Sequence, residues 1–73
     1  MIDRIVIDPK ICHGKPVIRG TRTPVTVVLS LLSGGETFEK VMAEYGISLD
    51  DVRACLAFAS QELGRLTFQP TAA

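Results

Sequence analysis

The sequence predicts a mainly α-helical fold: a small tri-helical, helix-turn-helix (homeodomain-like) domain with a short N-terminal β-hairpin or strand pair. Three observations predict it. Val25, Val28, Leu29 and Leu32 recur at helical spacing behind Thr23-Pro24. Phe38, Val41, Met42 and Tyr45 make a second helical face that stops at Gly46, and a third apolar face follows from Val52. Ahead of these, Ile5-Val6-Ile7 and Val17-Ile18 are β-branched runs bounded by proline and glycine.

Taken in order, Arg4 to Ile7 is expected as a strand that ends at the turn-forming Asp8-Pro9, and a second strand covers Pro16 to Ile18. So small a hairpin is marginal in water. Ile5, Val6 and Ile7 leave no polar outer face, which favours pairing with a second subunit and makes all three candidate interface residues.

Thr23 is the expected N-cap of the first helix, with Pro24 at its first helical position. Val27 and Leu31 widen its apolar stripe until most sides are greasy, so these two are also candidate interface residues. Ser33-Gly34-Gly35 stops it. Thr37 caps a second helix that runs to Tyr45 and ends at Gly46. Ser48 caps the third in a Ser-x-x-Asp arrangement with Asp51, and Val52, Cys55, Leu56, Ala59 and Leu63 form its inner face down to Gly64. Residues 1–64 are thus expected as a single domain. Residues 65–73, with Pro70 and no periodicity, are expected as a flexible C-terminal tail.

Composition narrows the function classes. A chain of 73 residues buries only about 60% of its unfolded surface, so a partner subunit would stabilise it. Eight Lys and Arg against eight Asp and Glu give zero formal charge, without the basic excess of a non-specific nucleic-acid binder. Any DNA contact must rest on a local patch or an oligomer. Cys12 and Cys55 form no CxxC pair, so neither a metal site nor a redox dithiol is signalled, and no cofactor is expected. No leader-like segment opens the chain, and its longest apolar run, Val25 to Leu32, is too short to span a bilayer. The expectation is a cytoplasmic protein with no membrane role.

The local patch lies between Gly14 and Val25. Lys15, Arg19 and Arg22 leave this loop with no acidic residue between Pro9 and Leu32 to neutralise them, while Gly14, Gly20, Pro16 and Pro24 shape its backbone. An anionic partner is the natural reading. The bland alternative pairs Arg19 and Arg22 with Asp8, Glu36, Glu39 or Glu44.

The residues Ile7-Asp8-Pro9, Ile11-Cys12-His13-Gly14-Lys15-Pro16-Val17-Ile18-Arg19-Gly20-Thr21-Arg22 and Pro24-Val25, followed by Gly35, Tyr45 and Leu49-Asp50-Asp51-Val52, resemble the domain-of-unknown-function family numbered 433 (DUF433). The resemblance runs from Arg4 to Leu63. It implies a helix-turn-helix-like fold and kinship with antitoxins of the VapB kind, which often pair with a PIN-like nuclease toxin. It implies no catalytic residues.

Two sharper functions and one blander follow. In a type II toxin-antitoxin pair, Lys15, Arg19 and Arg22, with Thr21 in the same loop, would engage the acidic metal-binding pocket of a PIN-like nuclease, and the complex would also regulate its own operon. As a stand-alone DNA-binding regulator, the chain would set the same cations, doubled across a homodimer, on operator phosphates, with Arg53 on the reading helix. Asp50 and Asp51 at the start of that helix oppose this, so the corner around Gly46 is read as scaffold first. The third reading is a homo-oligomeric interaction module. Catalysis is not expected: His13 beside Cys12 lacks an orienting third group, and Gly14-Lys15-Pro16 is not a P-loop.

Overall fold

The computed structural model describes residues 2–66. It holds three helices and a two-stranded antiparallel sheet at the N-terminus: β1 (Ile5–Val6), β2 (Val17–Ile18), α1 (Val25–Ser33), α2 (Phe38–Tyr45) and α3 (Leu49–Gly64). The expected tail lies outside the described residues from Thr67 onward.

The strands are shorter than the β-branched runs predict. Arg4 closes a 3-10 turn, Ile2–Arg4, and Ile7 falls beyond the ladder. β1 pairs with β2 of the same chain, Ile5 opposite Ile18 and Val6 opposite Val17. On its other side β2 is held by a bridge from Val17 to Pro24, with Ile18 N–H donating to Thr23 O and Val25 N–H to Pro16 O.

That bridge moves the start of α1. Pro24 is drawn into an extended conformation, φ −67 and ψ 144, so it becomes the N-cap and Thr23 does not cap the helix. At the other end the left-handed residue is Gly35, φ 98, and Glu36 N–H returns to Leu31 O.

The core gathers Ile5 and Ile18 from the sheet, Val25 and Val28 from α1, Val41 from α2, Ile47 from the connection, and Val52, Ala54 and Cys55 from α3. Leu29, Leu31, Leu32, Met42 and Phe58 pack around it. Two expected faces are trimmed. Phe38 and Tyr45, at the rims of the α2 stripe, stay 37% exposed, and Leu56 and Leu63 on α3 are 40% and 58% exposed. α3 instead turns Ala54 inward, because its first half is packed on several sides, by α1, α2, β1 and the N-terminal turn.

The α2–α3 connection follows its local signals. Thr37 Oγ1 accepts from Lys40 N–H, Gly46 takes the left-handed φ of 63, and Ser48 and Asp51 form a full capping box.

Candidate functional site

The basic loop is built on a sequence of tight turns. Ile11 N–H donates to Asp8 O, Gly14 N–H to Ile11 O and Lys15 N–H to Cys12 O. Cys12, His13 and Gly14 all take left-handed φ values, 50, 57 and 81. Glycine accepts this conformation freely, but each residue carrying a Cβ costs roughly 1–2 kcal/mol there. The Cys12 Sγ–H donates to Arg22 O at 3.4 Å and fastens this turn to the far side of the loop. A second turn, Ile18 to Thr21, is closed by Thr21 N–H to Ile18 O with Gly20 at φ 80.

These turns divide the cations. Arg19 swings toward the N-terminal turn, where its Nε donates to Asp3 O at 2.9 Å. There it lines a depression of about 390 Å³ with Asp3, Arg4 and Asp50. Lys15 and Arg22 stay exposed on the open side, beside the Cys12 turn. Among the described residues the ion pairs are Arg4 with Asp50 and Asp51, Lys40 with Glu36, and Arg65 with Glu62. Lys15, Arg22 and Arg53 belong to none of them, and neither Arg19 nor Arg22 pairs with Asp8, Glu36, Glu39 or Glu44. Thr21 is half-buried, its hydroxyl donating to Ile18 O and accepting from Thr23 N–H, so its polar capacity is used within the turn.

The N-terminus of α3 carries the other charged cluster. Burial acts to raise the Asp51 pKa, but the Ser48 backbone N–H, the Ser48 side chain and the Arg4 guanidinium together outweigh it and hold the carboxyl below its ordinary 3.8. Sequence reasoning missed Arg4, whose hydrogen-bond partner Asp51 lies 47 residues away. On the same helix Arg53 is exposed, while burial, helped by the Asp51 charge, pushes the Cys55 thiol up to about 11.

The apolar interface candidates separate in the same way. Ile5 faces this chain's own core, Val6, Val27 and Leu31 are half-buried, and Ile7 is 59% exposed. Val27 and Leu31 line a shallow groove of about 380 Å³ on α1 with Thr26 and Ser30. No described helix is long and apolar enough to cross a membrane. Among the described residues, no group of three or more His, Cys, Asp or Glu is placed to hold a metal.

A family model described as a protein of unknown function (DUF433) matches residues 5–59, which take in the sheet, the basic loop and α3 as far as Ala59. The chain belongs to this family. A crystal structure of a DUF433 member protein from Anabaena variabilis ATCC 29413 aligns with a TM-score of 0.78 at 28% identity, covering 85% of this chain and 62% of that one. The X-ray structure of Rv2018 from Mycobacterium tuberculosis aligns with a TM-score of 0.65 at 38% identity, covering 71% of this chain and 24% of the other. The same organism (strain ATCC 25618 / H37Rv) holds a protein named "Putative antitoxin VapB45", 38% identical over 52 residues, which are 71% of this chain and 22% of the relative. Its uncharacterized protein Rv2308 is 32% identical over 63 residues, 85% of this chain and 26% of the relative. The DUF433 chain thus spans about a quarter of the length of these two relatives.

Proposed function

We propose that this DUF433 chain is a non-enzymatic, antitoxin-like protein that neutralises a PIN-like nuclease by binding it, with Lys15 and Arg22 set against the clustered carboxylates of the nuclease's metal pocket. The observation that carries this reading is the pair of exposed cations outside every ion pair among the described residues, mounted on a loop whose backbone is closed by its own hydrogen bonds. Ammonium and guanidinium groups match carboxylate clusters, and a guanidinium can do so through two parallel hydrogen bonds. The name of the VapB45 relative supports the antitoxin class, and the family match spans the loop.

In this reading the protein acts in the cytoplasm without a cofactor, and Arg19 and Thr21 shape the loop while Lys15 and Arg22 make the contact. The corner formed by α2, Gly46 and α3 serves as a helix-turn-helix scaffold. A homodimer or larger homo-oligomer covers Ile7, Val27 and Leu31.

One observation favours DNA as a second partner. Arg4 ion-pairs with Asp50 and Asp51, which lessens the phosphate repulsion at the start of α3, and Arg53 is exposed one turn further on. Operator binding through Arg53, Lys15 and Arg22 would give autoregulation.

The test is affinity purification of the tagged protein from its native cell at moderate salt, with mass spectrometry and the absorbance ratio for nucleic acid. A stoichiometric small nuclease, lost in a Lys15→Glu/Arg22→Glu variant, is the expected result. Recovery with DNA alone, in a complex that falls apart steeply as salt rises, would replace the antitoxin reading by the regulator. Recovery of neither would leave the homo-oligomeric module.

A further inference from the structure

Among the described residues, positive φ at a residue other than glycine occurs at Cys12 and His13, in the Cys12-His13-Gly14 turn. Three consecutive residues sit at φ 50, 57 and 81, and only the last is a glycine. Where a turn alone is needed, Gly or Asn normally fills such positions, because a Cβ crowds the following carbonyl. Cys12 has a local use for its side chain, since Sγ binds Arg22 O. His13 has none of that kind: it is exposed, ψ 32 keeps it fully left-handed, and among the described residues its ring has no hydrogen-bond or ion-pair partner.

The surroundings hold the residue in place. Hydrogen bonds close the chain on both sides, from Gly14 N–H to Ile11 O and from Lys15 N–H to Cys12 O. Pro9 and Pro16 bracket the segment, and the Pro9 Cα lies 3.8 Å from where a Cβ on Gly14 would stand. Strain of this sort persists only where neighbouring structure over-determines it, and it gathers at sites of recognition. The His13 ring stands two residues from Lys15, on the turn that Cys12 ties to Arg22. From Pro9 to Gly35 the chain has no Asp or Glu.

We infer that His13 is a specificity-determining contact residue of the partner surface, held in a strained left-handed conformation so that its imidazole joins Lys15 and Arg22 in gripping clustered carboxylates on an acidic protein. This rests on the reading that Lys15 and Arg22 bind such a protein. It goes beyond it in naming the third recognition group and the backbone device that aims it. The imidazole supplies a directional N–H donor on a short side chain of two rotatable bonds, where Lys15 and Arg22 reach out on long flexible stems, and so it distinguishes a carboxylate array from a bare negative field.

The test separates strain from recognition. In His13→Gly the φ is relaxed and the ring removed; in His13→Asn the left-handed conformation is kept by a residue that tolerates it, with a shorter polar side chain. The probe is an octaglutamate peptide, followed by amide and imidazole NMR shifts at low salt, with a short DNA duplex of equal charge alongside. The expected result is that His13→Gly raises Tm by roughly 4–8 °C, yet weakens octaglutamate binding several-fold, with His13→Asn between it and the native chain. Duplex binding should change little. If His13→Gly gains stability and keeps full octaglutamate affinity while Lys15→Glu/Arg22→Glu loses it, the role of His13 is overturned and the cation reading stands. If the native chain ignores octaglutamate but binds the duplex through the same loop, the acidic-partner reading fails and this inference fails with it.

Discussion

Arg4 Nη1 lies 3.1 Å from Asp51 Oδ1, and its Nη2 lies 3.6 Å from Asp50 Oδ2, so the N-terminal turn is fastened to the first turn of α3. The same Asp51 carboxylate accepts the Ser48 N–H at 2.9 Å, which makes one side chain both helix cap and tertiary tie.

This gives a pH dependence with a definite sign. The folded pKa of Asp51 is depressed below 3.8, so its contribution to stability is complete above that value and is lost as pH falls through the folded pKa. Asp51→Asn should destabilise the protein near neutrality by about 1 kcal/mol and flatten the acid limb below pH 3.8. Urea melts from pH 2.5 to 7 check it; parallel acid limbs for the two proteins would refute it. Arg4→Ala should cost less, about 0.5 kcal/mol, because the Arg4 side chain is 44% exposed.

The two thiols should behave differently. Cys55 is fully buried with its pKa pushed up to about 11, whereas Cys12 is half-exposed. Ellman's reagent at pH 8 should therefore modify Cys12 alone until denaturant is added. Because the Cys55 thiolate is disfavoured in the fold, stability should also decline as pH rises from 9.0 toward 11. Equal native-state reactivity of the two thiols would contradict the packing of α3.

Val52 is fully buried where α3 meets the rest of the core. Val52→Ala removes two methyl groups from a close-packed site and should cost about 2–3 kcal/mol, combining roughly 0.8 kcal/mol per carbon with the cavity left behind. In a domain this size that lowers Tm by roughly 10 °C or more. A loss under about 1 kcal/mol would mean that the core collapses to fill the gap.

Gly46 tests the backbone alone. A Cβ built there meets nothing within 4 Å, so the penalty for Gly46→Ala is the φ of 63 and no clash. The expected loss is about 1 kcal/mol, with Gly46→Asn recovering part of it. Identical melting of Gly46→Ala and the native chain would show that the α2–α3 turn can re-form without a left-handed residue.

Legibility followed the range of the interactions. The Thr37 cap, the Gly46 stop and the Ser48–Asp51 box are set by residues within four positions of one another, and each could be read directly. The role of Pro24 is not legible locally, because its conformation is imposed by Val17 across the sheet. Spacing alone points Leu56 and Leu63 inward, yet what α3 buries depends on the neighbours around its first half. In the candidate site the cationic loop was plain from charge. Its division was not, since Arg19 turns to Asp3 and the left-handed Cys12-His13 pair carries neither Gly nor Asn as a signal.

The double pinning of β2 bears on the thermodynamics of binding at the loop. Residues 19–23 leave and rejoin a strand bonded on both sides, through Arg19 N–H to Arg4 O and Ile18 N–H to Thr23 O. The segment cannot loosen without disturbing Ile18 in the core. Whatever docks against Arg22 therefore meets main chain whose freedom was surrendered on folding, and the conformational entropy this segment loses on complex formation is confined to side-chain rotamers, about 0.5–1.5 kcal/mol for each one immobilised.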